Sequence, residues 1–118
     1  ELGGYKVQGR DEAGARAIME DARVLQEAGA GMIVMECIPA SLAAKITRSL
    51  SIPTIGIGAG RGCDGQVLVL HDMLGITTQK VPRFVKDFLR DSGTVPAAVE
   101  AYIKAVKDGS YPAPEHEY

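Results

Sequence analysis

Two short runs of uninterrupted apolar residues, each preceded by a helical stretch, constrain this chain more than any other feature. Met32, Ile33, Val34 and Met35 form one run, and Ile52 to Ile57 forms the other. A strand without polar alternation suits a parallel sheet covered on both faces better than a half-exposed one. Before the first run, Arg10 to Gly29 carries Ala15, Ile18, Ala22, Leu25 and Ala28 at the three-and-four spacing of an amphipathic helix. Asp11 and Glu12 complement the positive end of that helix, and Gly29 supplies the left-handed conformation common after a last turn. Between the runs, Pro39 opens a second helix to about Leu50, with Leu42, Ile46 and Leu50 on one face. Helix, strand, helix, strand with short connections implies right-handed crossovers and an α/β fold, a parallel sheet flanked by helices.

Asp64 to Leu74 reads two ways. Val67, Leu68, Val69 and Leu70 favour a strand by their branching, while the surrounding length suits a short buried helix, and the balance tips to helix. Pro82 to Arg90 and Thr94 to Lys107 are predicted helices separated by Ser92-Gly93, the second with Val95, Val99, Tyr102, Ile103 and Val106 on its apolar face. Gly109 ends that helix, and the two prolines of Tyr111-Pro112-Ala113-Pro114 make residues 110–118 an extended tail. No internal repeat is present. Two strands with about four helices leave sheet edges and strand faces uncovered, so other chains or further residues must complete the sheet. The chain also opens without Met on a Gly-rich turn, as expected of a segment cut from a longer sequence.

Composition excludes several partners. With 46% hydrophobic and 24% charged residues the chain has the make-up of one globular domain. The net charge of -2 comes from interspersed acids and bases, so no basic stripe exists to neutralise a nucleic acid. No apolar run approaches the ~20 residues of a membrane span and no signal pattern opens the chain, which makes a cytoplasmic address the expectation. Cys37 and Cys63 are too few and too far apart for a disulfide framework or a clustered zinc site, so reduced thiols are expected.

Glu36 is the most informative candidate, because it ends the first apolar run. In parallel β/α architectures the C-terminal ends of strands form the active face, where an apolar surrounding raises a carboxylate toward the range of a useful general base. The alternative is a buried salt bridge to a neighbouring Lys or Arg. The loop Gly56-Ile57-Gly58-Ala59-Gly60 follows the second strand in the same way. It is either a backbone cradle for a phosphate or carboxylate or a tight turn without ligand, and its spacing does not complete a dinucleotide fingerprint. His71 and Asp72 are neighbours in sequence and do not face each other on a helix, so a supporting or capping role is expected. Cys37 reads as a small buried apolar group, and His116 as part of a solvated end or a subunit contact.

Several stretches together resemble the C-terminal half of the ketopantoate hydroxymethyltransferase family, and the resemblance covers essentially all of residues 1–118. They are Gly3-Gly4-Tyr5-Lys6-Val7-Gln8-Gly9-Arg10, the strand end Glu36-Cys37-Ile38-Pro39, Ile55 to Gly60 followed by Asp64-Gly65-Gln66, and the closing Tyr111-Pro112 with Glu115-His116 and Tyr118. The resemblance implies the C-terminal part of a (β/α)8 TIM-type barrel of the phosphoenolpyruvate mutase and isocitrate lyase kind. It implies a cytoplasmic, homo-oligomeric transferase of pantothenate biosynthesis, decameric in well-known members. That enzyme moves a one-carbon unit from 5,10-methylenetetrahydrofolate to the keto acid 3-methyl-2-oxobutanoate, giving 2-dehydropantoate. Glu36 matches the family's proton acceptor. The family's magnesium ligands and keto-acid-holding groups lie in the half that this chain lacks, so no metal ligand and no folate-binding residue is carried over. Two other readings stand beside it: a phosphate- or carboxylate-binding half of another β/α barrel enzyme, and an inactive fragment or assembly module.

Overall fold

The computed structural model describes residues 6–118. Helix α1 (Glu12–Glu27) leads into strand β1 (Ile33–Glu36), helix α2 (Ala40–Ser49) and strand β2 (Thr54–Ile57). Strand β3 (Gly65–Gln66) and three helices follow: α3 (Leu70–Met73), α4 (Leu89–Ser92) and α5 (Val95–Asp108). The strands form one parallel sheet in the order β1-β2-β3.

The boundaries have local causes. Asp11 caps α1, its carboxylate accepting from the Gly14 amide at 2.7 Å, and Gly29 takes φ 97° beyond the other end. Thr94 caps α5 through the Ala97 amide, Pro96 sits in its first turn, and Gly109 stops it at φ 76°.

Ile33 and Met35 point to the face covered by α1 and α2, where they pack with Ala22, Leu42, Ala43 and Ile46. Thr54 is fully buried on that face, its hydroxyl 2.8 Å from that of Thr47 on α2. Since alternate residues of a strand point to opposite faces, Val34 and Glu36 with their register partners Ile55 and Ile57 look the other way. The expectation of a first strand covered on both faces is not met within this chain. Its burial alternates, and Val34 keeps 60% of its surface exposed, because no described element lies over that face at Val34. A second cluster gathers Cys37, Leu68, Met73, Leu74, Phe84, Phe88, Ala98 and Tyr111 between the strand ends and α5.

Two other expectations need correction. Asp64 to Leu74 is not one helix: Gly65–Gln66 adds a third strand to β2, Val67 to Val69 stay outside helix, and only Leu70–Met73 coils. Pairing with β2 gives the short segment hydrogen bonds that local propensity could not foresee. The helix expected from Pro82 to Arg90 is confined to Leu89–Ser92. Phe84 and Phe88 are both buried, the Phe88 amide donates to the Met73 carbonyl at 2.8 Å, and the Asp87 carboxylate accepts from the Leu89 and Arg90 amides, which sets the helix start there. In residues 110–118, Ala113 and Glu117 are extended, but Pro114–His116 forms one 3-10 turn and Tyr111 is buried, so the tail packs on the body.

Candidate functional site

Parallel strands place their C-terminal ends together, so Glu36, Ile57 and the segment after Gln66 open on one end of the sheet. Glu36 is exposed there. The ion pairs among the described residues, Arg16 with Glu12 and Arg23 with Glu20 and Glu27, all lie on α1 and leave Glu36 out. The salt bridge to Lys or Arg that would give this carboxylate a purely structural role is not formed among the described residues.

Immediately after Glu36 the backbone turns sharply. Cys37 has φ 50°, a left-handed conformation unusual for a residue with a side chain, which persists where the surroundings over-determine it. Those surroundings are visible: the Cys37 amide donates to the Ile57 carbonyl at 3.0 Å, and the Cys37 carbonyl accepts from the Gln8 amide at 2.9 Å. The Cys37 thiol is buried, and burial, helped by the charge of Glu36, pushes its pKa up. A thiol held protonated in this way is a poor nucleophile.

The glycine-rich loop owes its glycines to packing within the chain. Gly58 (φ 63°) leaves no room for a β-carbon, whose position would fall 2.5 Å from the ring of Phe84, and one on Gly60 (φ 74°) would run into Ala40 of α2. These contacts match the tight-turn reading of the loop. The Asp64-Gly65-Gln66 stretch fastens it: Asp64 Oδ2 accepts from the Thr54 amide at 2.9 Å, and Gln66 Nε2 donates to the Gly60 carbonyl at 2.9 Å. Burial also pushes the Cys63 thiol beneath this loop upward.

Asp72 accepts from the Thr77 hydroxyl at 2.5 Å, tying down the loop after α3, while His71 is exposed beside it. His116 is not in a solvated end: it is half-buried, lies 5.2 Å from the Tyr111 ring, and its Nδ1 accepts from the Ala113 amide. Among the described residues no group of three or more His, Cys, Asp or Glu side chains could hold a metal ion.

Residue-by-residue reading missed how the tail meets this end of the sheet. The Tyr118 carbonyl accepts from the Ala40 amide at 2.9 Å, Glu117 Oε1 from the Arg61 amide at 3.3 Å, and the Glu117 carbonyl from Arg83 at 3.2 Å. The signal available in sequence was the terminal Tyr118 among the motifs of the resemblance. Those motifs lie far apart in the chain, yet Gln8, Glu36 to Pro39, Gly56 to Gly60 and Tyr118 meet at one place; Gly3, Gly4 and Tyr5 lie outside the described residues.

A cleft of about 440 Å³ runs between α1 and β1, lined by Ala17, Ile18, Asp21, Leu25 and Val34 among others, and Glu36 borders it. Among the described residues β1 is an end strand of the sheet, and such an edge is a seat for another strand.

Comparison with known proteins gives a consistent result. The family model for ketopantoate hydroxymethyltransferase matches residues 1–114. The chain is 62% identical over 117 residues to proteins named 3-methyl-2-oxobutanoate hydroxymethyltransferase from Burkholderia mallei (strain SAVP1), Burkholderia pseudomallei (strain 668) and Burkholderia thailandensis. Each alignment takes in 99% of this chain and 43% of the relative, so the chain spans less than half the length of these proteins.

Proposed function

The chain belongs to the ketopantoate hydroxymethyltransferase family, and from that premise we propose that it is the C-terminal part of a (β/α)8 barrel whose proton acceptor is Glu36. The observation that carries the proposal is the placement of Glu36: exposed at a strand's C-terminal end, on the sheet face that α1 and α2 leave open, without an ion-pair partner among the described residues. In a closed barrel that face is the interior, and its mouth is where substrate binds.

The reaction proposed for the complete enzyme is hydroxymethyl transfer from 5,10-methylenetetrahydrofolate to 3-methyl-2-oxobutanoate. Glu36 takes the proton from the carbon next to the ketone. Water takes the methylene carbon off the two folate nitrogens at the oxidation level of formaldehyde, its two protons passing to those nitrogens; the enolate carbon then bonds to that carbon, and the proton held by Glu36 passes to the new alkoxide oxygen, giving 2-dehydropantoate and tetrahydrofolate. The tight turn at Cys37 holds the carboxylate at the strand's end, where a general base must come within hydrogen-bond reach of its proton.

The described residues of this chain do not by themselves fit a magnesium site. They offer no ligand cluster among those described, and Asp64 is engaged by Thr54. Whatever stabilises the enolate oxygen comes from the part of the relatives that this chain leaves unmatched, so the chain alone is expected to show no turnover. The homo-oligomeric state and cytoplasmic address of the family belong to the same proposal. No helix among the described residues is long and apolar enough to cross a membrane.

The test is Glu36→Gln in a chimaera joining this chain to the unmatched part of the Burkholderia thailandensis relative. Solvent-deuterium exchange into 3-methyl-2-oxobutanoate should fall by roughly 10²–10⁴-fold, the usual contribution of a general base. Exchange at the parent rate in a folded variant would remove Glu36 from the role.

A further inference from the structure

We infer that the tail segment Tyr111 to Tyr118 is a positioning strap for Glu36, acting through Tyr118 on the turn that follows the carboxylate. The inference rests on the reading of Glu36 as the proton acceptor and assigns residues outside the reacting centre that hold it in place.

The turn from Glu36 to α2 is unusual in two respects. Cys37 adopts a left-handed backbone that a side-chain-bearing residue leaves unless it is held. The N-terminus of α2 also lacks the usual side-chain cap, because Pro39 occupies the capping position and makes no such bond. Both deficits are met from distant parts of the chain. Gln8 and Ile57 hold the two sides of the Cys37 peptide groups, and the Tyr118 main-chain oxygen takes the Ala40 amide at 2.9 Å, one of the first-turn donors that the helix itself cannot pair. Tyr118 therefore supplies one of three main-chain anchors between Cys37 and Ala40, directly after the carboxylate.

The strap is itself fastened at each step. Tyr111 is buried, with its hydroxyl donating to the Phe84 carbonyl. His116 closes the 3-10 turn through the Ala113 amide. Glu117 bridges two loops, its carboxylate accepting from the Arg61 amide and its carbonyl from Arg83, whose guanidinium lies 5.9 Å from the centre of the Tyr118 ring. The tail thus joins the loops after β2 and before α4 to the turn after β1. With Tyr118 gone, the Ala40 amide loses its partner and the Cys37 turn loses one restraint against relaxing to an extended backbone, which swings the carboxylate off the substrate proton. Misplacement of a reacting group by about 1 Å costs on the order of 10²-fold in rate.

The experiment uses the chimaera described above, intact and shortened after His116. Shortening should slow deuterium exchange into the keto acid by roughly 10–100-fold. The KM of the keto acid should stay within about twofold, since uniform binding is untouched. Hydrogen exchange at the Ala40 amide should accelerate at least about tenfold. Arg83→Met keeps every tail residue while removing the grip on Glu117, and a smaller loss of rate at unchanged KM is expected there. An unchanged rate in the shortened and Arg83→Met proteins, or unchanged protection of Ala40 after shortening, overturns the strap. Glu36→Gln separates the two proposals: exchange that survives it sinks the proton-acceptor reading, whereas exchange that it abolishes but shortening leaves intact sinks the strap alone.

Discussion

If the face bearing Val34 is the interior of a closed barrel, Val34→Thr in the complete enzyme should be costly although the residue looks tolerant in this chain. Threonine keeps the shape and the β-branching of valine, so strand propensity drops out of the comparison. Val34 retains 60% exposure here. Full burial of such a side chain is worth about 1.5–3 kcal/mol, so covering the exposed part brings roughly 1–2 kcal/mol that a hydroxyl in place of a methyl partly forfeits. The hydroxyl adds an unpaired buried polar group at roughly 1–3 kcal/mol. The opposite face shows what satisfaction requires: the Thr54 hydroxyl is within reach of Thr47 and Asp64, whereas Ile55, opposite Val34, offers no polar group. A destabilisation of roughly 2–4 kcal/mol is expected, read as a lower urea midpoint at unchanged slope and fixed protein concentration. Surface substitutions away from special features stay within about 0.5 kcal/mol. A Val34→Thr chimaera that close to its parent would show that the face meets solvent, and the barrel proposal would fail with it.

Two further perturbations probe the strand-end loops and the tail. Gly60→Ala combines left-handed strain with collision against Ala40, whose α-carbon would lie 3.0 Å from the new β-carbon, and should cost roughly 2–5 kcal/mol; Gly29→Ala, at φ 97° in open space, should cost only about 1–2 kcal/mol, and equal urea midpoints would refute the packing argument. Burial holds the His116 imidazole below its ordinary value of 6.5, so the unfolded chain takes up the proton first as pH falls. The stability His116 contributes is present above 6.5 and is lost as pH falls through its lower folded value, because protonated Nδ1 cannot accept from the Ala113 amide. In NMR titration the Ala113 amide shift should follow His116, and a midpoint above 6.5 would contradict it.

The parts of the fold legible in sequence are those whose cause is local. Asp11, Thr94, Gly29 and Gly109 mark helix ends by their own chemistry, and Leu42 and Ile46 show the core by period alone, whereas the unbroken run Met32 to Met35 does not tell which of its faces is covered. Glu36 stood out because one charge at the end of an apolar run is conspicuous. The sequence misled where a distant partner decides the outcome. Gly65–Gln66 is a strand because β2 lies beside it, and Pro82 to Phe88 is no helix because two phenylalanines and the Met73 carbonyl pull that segment inward.

The tail shows the same limit in its sharpest form, and the reason is geometric. A proline-rich end reads as an extended arm, whereas Pro114–His116 makes a 3-10 turn, and nothing in Tyr111 to Tyr118 tells which unsatisfied amide it will find. That information resides at Pro39, which opens a helix without a side-chain cap two residues after the left-handed Cys37 that follows the carboxylate. Asking where each helix's first amides go would have raised the question from sequence, since proline at that position leaves the first turn wanting an acceptor. The answer, a carbonyl from position 118, depends on the chain crossing the loops after β2 and before α4 on the way. Such a crossing joins the parts of this chain that resemble the family at the end of the sheet where Glu36 lies. Substitutions in the tail should therefore register at the carboxylate more strongly than substitutions of equal size on the solvent face of α1, whose ion pairs are exposed and contribute little.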